Sequence, residues 1–197
     1  MNQQTLLAKI AAHYDFTKAN QLASQSQTKP YIRAWLNLDI SQVLQGILNG
    51  SDVTYSEPYQ HQGDYIKFLP KTNQVEACER KYASKADLQI TSDKQTNWFE
   101  FHVLQKSDLE NTRDRNKLYG DIRRVRTLRK HLAPHDTTLL IGIWGSFTTK
   151  DLDYFKPLDN QTDCAYVLDT SLTGSTQIAR VSHVKREGKP RFLLIAC

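Results

Sequence analysis

The sequence predicts an α+β protein with a central mixed β-sheet flanked by helices. Helical patterns fill residues 1–50, alternating apolar residues typical of strands follow, and a long helix precedes a buried strand. The 197 residues suit a single domain, because domains cluster near roughly 100 to 200 residues. Hydrophobic residues make up 39% and charged residues 24%, which is enough apolar material to build a core.

The helical N-terminal segment, residues 1–50, contains two predicted helices. The first has apolar residues at helical spacing, namely Leu6, Leu7, Ile10 and Ala11. The second begins near Pro30, a residue favoured in a first turn, and ends at Asn49 and Gly50. Asp39 lies within its apolar face, so this carboxylate is either hydrogen-bonded in the core or directed into a site.

The middle segment, residues 51–145, contains the predicted strands and the long helix. Residues 86–91 and 98–104 predict a hairpin, after weaker strand patterns at 53–55 and 65–68. A long helix is expected from an N-cap at Ser107 or Asp108 to about Leu132, with Pro134 stopping it. The apolar run 137–144 is typical of a strand that is central in a mixed sheet.

The last segment, residues 146–197, contains further strand patterns at 165–168, 177–184 and 191–197. Turn signals at Thr173-Gly174 and Glu187-Gly188 separate these patterns. We expect these C-terminal strands to complete the sheet.

Positive charge is concentrated in the long helix. The chain has 26 Lys and Arg against 21 Asp and Glu, for a net charge of +5. Residues 113–132 alone carry an excess of six positive charges, so the rest of the chain is close to neutral. We therefore expect nucleic acid, DNA or RNA, as the partner. The expected phosphate-binding residues are Arg113, Lys117, Arg123, Arg126 and Lys130. The alternative is that these residues form only a solvated helix face.

The sequence also predicts a cytoplasmic protein that does not contact membranes. Its longest apolar runs stop after about six residues, whereas a bilayer span needs roughly 20. The N-terminus lacks a signal-peptide pattern, and the three cysteines fit neither a disulfide framework nor a C-x-x-C metal pair. A protein partner and a homodimer stay open as alternatives.

Two acids on the predicted hairpin occupy positions where acids are disfavoured. Asp87 opens one strand and Glu100 lies inside the next, although strand interiors are depleted in Asp and Glu. Two converging carboxylates are the minimum scaffold for Mg²⁺, an ion that could activate water against a phosphodiester. The alternative is that both acids are strand residues paired with neighbouring arginines.

The middle segment contains, in order, Asp87, a polar linker and Glu100-Phe101-His102, followed by a helix and a buried strand. This order resembles that of the PD-(D/E)XK nuclease superfamily over about residues 32–145. The resemblance implies a restriction-endonuclease-like core, with Mg²⁺ or Mn²⁺ held by Asp87 and Glu100. An acid from the preceding helix often joins them in this family, and Asp39 matches that position.

The sequence departs from this family at the motif lysine, which orients the attacking water and is replaced here by His102. A histidine can shuttle protons near neutral pH but is not a permanent cation. Replacements for the lysine are sought among Lys85, Lys106 and Lys117, and His102 could equally be an ordinary hydrogen-bonded sheet residue.

Two functions therefore remain. One is a metal-dependent nuclease in which Asp87, Glu100 and His102 are catalytic. The other is a catalytically silent module of the same fold that binds nucleic acid or protein, including an immunity-type protein.

Overall fold

A computed structural model of the chain describes residues 1–28, 30–92, 95–132, 137–159, 164–183 and 188–197. Within these residues the α-helices are α1 (Gln3–His13), α2 (Phe16–Ala23), α3 (Ile32–Leu48), α4 (Thr112–His131) and α5 (Thr149–Leu152). None of the helices in these ranges is both long and apolar enough to cross a membrane.

The strands form two sheets. The first half of the chain contributes β1 (Asp52–Tyr55), β2 (Gln60–His61), β3 (Asp64–Leu69), β4 (Gln74–Cys78) and β5 (Leu88–Thr91). The second half contributes β6 (Thr96–Gln105), β7 (Thr137–Gly145), β8 (Tyr166–Asp169), β9 (Ile178–Arg180) and β10 (Arg191–Ala196). The main sheet has the order β1-β5-β6-β7-β10-β8-β9, and β2-β3-β4 form a small separate sheet.

The main sheet is mixed, because β6 and β7 are parallel whereas the other neighbouring strands are antiparallel. Helix α4 connects the two parallel strands, as a crossover connection requires. Strand β10 inserts between β7 and β8, so the end of the chain contributes a fully buried strand to the centre of the sheet. An α+β fold with a mixed sheet and surrounding helices is therefore confirmed.

Helices cover both faces of the main sheet. On one face, α1, α2 and α3 pack with Phe99, Phe101 and Phe192 into one apolar core. On the other face, α4 packs through Leu118, Ile122 and Val125 against β7 and β10. Successive side chains of a strand point to opposite faces of the sheet. The side chains of β6 that face α4 are therefore those of Trp98, Glu100, His102 and Leu104.

The small sheet packs beside the C-terminal half of α4. Ile66 of β3 shares a buried cluster with Tyr59, Trp98 and Leu128. The Thr127 hydroxyl of α4 also donates a hydrogen bond to the Asn73 side chain at 3.2 Å. The small sheet thus brings Tyr59 to the same side of the main sheet as α4.

The predicted hairpin of residues 86–91 and 98–104 is confirmed as the antiparallel pair β5 and β6, with β7 beside β6. The predicted N-cap of the long helix is wrong. Asn111 caps α4, whereas Ser107 and Asp108 lie within a separate 3-10 turn (Lys106–Leu109), where the Asp108 carboxylate accepts a hydrogen bond from the N–H of its N-cap, Gln105. The patterns did not predict α2, α5, β2 or β4, which are short or have few apolar residues.

At the end of the predicted second helix, Asn49 adopts the left-handed conformation as its C-cap. The expected helix stop at Pro134 lies outside the described residues, and the turn signal at 187–188 lies partly outside them.

Candidate functional site

The two acids of the hairpin lie next to each other in the strand register. Leu88 pairs with Phe99, so Asp87 and Glu100 stand opposite each other one step further along. Strand β5 begins only at Leu88, however, and the Phe101 N–H donates a hydrogen bond to Asp87 Oδ2 at 2.7 Å. The Asp87 carboxylate thus takes the position of a backbone acceptor at the end of the strand.

Asp87 is also paired with an arginine from the opposite helical layer. Arg33 Nη2 of α3 lies 3.2 Å from Asp87 Oδ1 and 3.0 Å from Oδ2. The Asp87 side chain is 28% exposed, so this ion pair is partly solvated. Asp87 therefore connects the end of β5 to both β6 and α3.

Glu100 is buried on the α4 side of the sheet, with a relative exposure of 1%. The Tyr59 hydroxyl donates a hydrogen bond to Oε1 at 2.9 Å, and the Arg124 guanidinium of α4 contacts Oε2. Burial raises the Glu100 pKa from 4.5 to about 7, against the opposing effects of Arg124 and Tyr59. Both oxygens of this carboxylate therefore have protein donors.

Asp121 of α4 joins Arg124 to His102. Its Oδ2 lies 2.7 Å from His102 Nδ1, and its Oδ1 lies 3.4 Å from Arg124 Nη2. Burial favours the neutral form of Asp121, but His102 and Arg124 outweigh it and hold the pKa of this carboxyl below its usual value. We call these five residues, Tyr59, Glu100, His102, Asp121 and Arg124, the Glu100 cluster.

The Glu100 cluster does not fit a Mg²⁺ or Mn²⁺ site as it is arranged. A hard divalent cation needs carboxylate oxygens directed at it, yet the fixed positive charge of Arg124 already contacts Glu100. Asp87 is likewise paired with Arg33. In the described ranges, no group of three or more His, Cys, Asp or Glu side chains could hold a metal ion.

Asp39, the third expected metal ligand, lies elsewhere. It is half-buried on α3, which packs on the face of the sheet opposite to Glu100. Its carboxylate is close to the Tyr14 hydroxyl. The pKa of Tyr14 is raised, first by burial and second by this neighbouring carboxylate. The structure therefore brings Asp87 and Glu100 together but does not bring Asp39 to them.

The candidate replacement lysines also have other neighbours. Lys106 Nζ lies 2.7 Å from Glu110 and 3.6 Å from Asp151. Lys117 Nζ lies 2.8 Å from Asp114 of the same helix. Lys85 is exposed and forms an isolated β-bridge with Pro58. Arginine, rather than any of these lysines, contacts the two acids.

The basic residues of α4 divide between two flanks of the helix. At about 100° per residue, Arg123, Arg126 and Lys130 share a flank, whereas Arg113 and Lys117 lie on the side that carries Arg124. Arg113, Lys117, Arg123 and Lys130 are exposed, and Arg126 is half-buried. The five expected phosphate-binding residues thus form two separate basic surfaces.

A cleft of about 210 Å³ opens between the small sheet and α4. Its lining residues are Phe68, Pro70, Gly120, Asp121, Arg123 and Arg124. Two members of the Glu100 cluster, Asp121 and Arg124, are therefore accessible from this side of α4.

The sequence patterns do not predict three members of the Glu100 cluster or the partner of Asp87. In the sequence, Arg124 and Asp121 are only two charges of the basic helix, and no pattern selects Tyr59 or Arg33. A helical wheel would have placed Arg124 away from Arg123 and toward the strands, since consecutive helical residues are about 100° apart. No sequence signal identifies Tyr59, which lies in a loop.

Compared with models of protein families, curated proteins and solved structures, the chain has no match. The resemblance to PD-(D/E)XK nucleases therefore stays a hypothesis that depends on the motif residues.

Proposed function

We propose that this protein binds nucleic acid through the flank of α4 that carries Arg123, Arg126 and Lys130, and does not cleave it. The observation that carries the proposal is the contact between Arg124 and Glu100. The guanidinium lies at the carboxylate that would hold a metal ion if the resemblance to PD-(D/E)XK nucleases extended to activity. In this proposal Asp87 and Glu100 connect the sheet to helices instead of activating water.

Charge repulsion supports the absence of cleavage. A divalent cation beside Glu100 would lie next to the Arg124 guanidinium, which stays protonated at any relevant pH. Arg124 is also held by Asp121 at 3.4 Å, so its displacement would break two ion pairs. The Tyr59 hydroxyl occupies the other Glu100 oxygen in a fully buried position.

The charge of α4 supports nucleic acid as the partner. Arg123 and Lys130 are exposed, and no ion pair to another described residue neutralises either of them. Such side chains can neutralise phosphates and release counterions, which is the main sequence-independent source of affinity for nucleic acid.

A metal-dependent nuclease is the second candidate. The observation that favours it is the register, which places Asp87, one residue before β5, opposite Glu100 of β6. This candidate requires Arg124 to leave Glu100 when metal and nucleic acid bind.

A paired cleavage and binding assay separates the two candidates. The full chain would be incubated with labelled single-stranded and duplex DNA and RNA in Mg²⁺ or Mn²⁺, and binding would be titrated in increasing salt without divalent ions. We expect salt-dependent binding and no cleavage by either the wild type or Glu100→Ala. Cleavage that disappears in Glu100→Ala would support the nuclease, and no binding at low salt would overturn the proposal.

A further inference from the structure

A groove lies on the flank of α4 away from the Glu100 cluster. Its volume is about 320 Å³, and it runs between α4 and the 3-10 turn Asp153–Leu158. The lining residues are Tyr119, Ile122, Arg123, Arg126, Tyr154 and Leu158. The groove therefore combines two aromatic rings with two guanidinium groups.

The two tyrosines are held in place by backbone and cationic contacts. The Tyr119 hydroxyl donates a hydrogen bond to the Tyr154 carbonyl oxygen at 3.4 Å. The Arg115 guanidinium lies 5.2 Å from the centroid of the Tyr154 ring. Both tyrosines are half-buried, so part of each side chain is accessible from the groove.

The groove belongs to a longer stripe of α4. Residues 115, 119, 123, 126 and 130 follow one another at steps of three or four, which places them on one flank of the helix. The stripe reads Arg, Tyr, Arg, Arg, Lys and extends about 22 Å at 1.5 Å per residue. One aromatic ring thus lies among four cationic groups along a single track.

We propose that this groove binds an unpaired base of a single-stranded nucleic acid, with the stripe cations on the neighbouring phosphates. The inference rests on the proposed function and specifies its ligand. Aromatic rings within a positively charged groove are the usual means of binding single strands, because every base has a flat face that can stack. In a duplex the base faces are already stacked, so a duplex can use only the cations.

The experiment compares three fluorescently labelled ligands of twelve nucleotides: a single strand, an abasic strand with the same phosphates, and a duplex. Anisotropy titrations would use the full-length wild type, Tyr154→Leu and the matched control Tyr154→Phe. We expect wild type to bind the normal strand about tenfold more tightly than the abasic strand. We also expect Tyr154→Leu to lose about five- to tenfold, up to the whole difference between the two strands, and Tyr154→Phe to retain wild-type affinity.

A second measurement does not depend on the folding of a variant. A strand containing 2-aminopurine would be titrated with wild type, and stacking on an aromatic ring should quench its fluorescence. Photo-crosslinking of a strand containing 5-bromouridine, mapped by mass spectrometry, should then identify Tyr119 or Tyr154.

The outcomes distinguish the inference from the proposed function. Equal binding of the normal and abasic strands, with no quenching and no crosslink in the groove, overturns the base site but leaves binding through α4 intact. No binding of any nucleic acid at low salt overturns both. Competition by a poly-glutamate peptide as strong as that by the normal strand also overturns the base site, because it indicates an acidic protein segment as the occupant.

Discussion

The Arg124 guanidinium contacts the buried carboxylate of Glu100, and this pair ties α4 to the centre of β6. Arg33 makes the corresponding contact from α3 to Asp87, on the other helical layer. The two acids that resemble a nuclease motif are thus both paired with arginines from helices. This arrangement makes stability, rather than catalysis, the first property that changes in these residues should affect.

Replacing Arg124 should destabilise the protein. Arg124→Gln leaves the Glu100 carboxylate buried without its cationic partner, and we expect a loss of about 2 kcal/mol in the free energy of unfolding. This is below the about 3–5 kcal/mol typical of a fully buried pair because the Arg124 side chain is 30% exposed. Urea unfolding at about pH 8.5, above the raised Glu100 pKa of about 7, measures the change.

The neighbouring Arg123 provides the control, since it is exposed and Arg123→Gln should change stability by less than about 0.5 kcal/mol. The double variant Glu100→Gln with Arg124→Gln should recover part of the loss, because the uncompensated charge is removed. Equal stability of Arg124→Gln and Arg123→Gln would contradict the structural role of the pair.

Stability should fall as the pH rises from about 5 to about 7. The Glu100 pKa is raised from 4.5 to about 7 in the folded protein, so the native state binds the proton more tightly than the unfolded chain does. Between these values the native state carries more protons, and the free energy of unfolding decreases with pH. Asp121 acts in the opposite direction, because its pKa is lowered in the folded protein. Its contribution to the free energy of unfolding is present in this range and is lost only as the pH falls to more acidic values.

The difference between wild type and Glu100→Gln isolates this effect, since glutamine does not titrate. Thermal unfolding would be followed at several pH values between 5 and 7.5. If wild type and Glu100→Gln show parallel curves, the proton of Glu100 is not linked to folding.

The two basic flanks of α4 should contribute unequally to nucleic-acid binding. Arg123→Ala, Arg126→Ala and Lys130→Ala combined should weaken binding to a single strand and flatten its salt dependence. If each residue neutralises one phosphate, the slope of log affinity against log salt should decrease by about 2. Filter binding at four salt concentrations gives this slope.

The matched control is the double variant Arg113→Ala with Lys117→Ala, on the flank that carries Arg124. We expect a smaller change in slope per removed charge from this pair than from the triple variant. An unchanged slope in the triple variant would mean that the first flank is only a solvated surface.

Introducing the lysine of the PD-(D/E)XK motif at position 102 should not create a nuclease. His102→Lys would place an ammonium group near Asp121, which already lies 2.7 Å from His102 Nδ1, and Arg124 would still contact Glu100. We therefore expect no cleavage of DNA or RNA in Mg²⁺ or Mn²⁺ by wild type or by His102→Lys, measured with quenched fluorescent substrates. Activity in His102→Lys that is lost on adding Glu100→Ala would refute this expectation and favour the nuclease.

Adding a methyl group at Gly142 should disrupt the packing at the centre of the main sheet. A Cβ at this position of β7 would lie 2.4 Å from Cζ of the buried Phe192 ring. Gly142→Ala should cost about 1–3 kcal/mol through overpacking. Gly46→Ala is the control, because a Cβ at Gly46 on α3 meets nothing within 4 Å and alanine should stabilise the helix by up to about 1 kcal/mol. Differential scanning calorimetry of both variants tests the contrast.

Local patterns determined much of the fold. The apolar alternation at 86–91 and 98–104 predicted the hairpin, because a strand with one buried face requires a period of two. The run at 137–144 predicted a strand that is central in a mixed sheet, and β7 is that strand. These features depend on neighbouring residues alone, and a sequence displays them directly.

Only the tertiary structure decided which side chains meet Asp87 and Glu100. Their partners Arg33, Tyr59 and Arg124 are separated from them by 54, 41 and 24 residues, and no local period encodes such contacts. The sequence placed two acids beside each other on a hairpin, an arrangement equally suited to a metal ion and to arginines. The packing of α3 and α4 on opposite faces of the sheet supplied the arginines, because each helix directs one guanidinium at one of the carboxylates. Burial makes the Glu100 carboxylate the costlier of the two to leave unpaired.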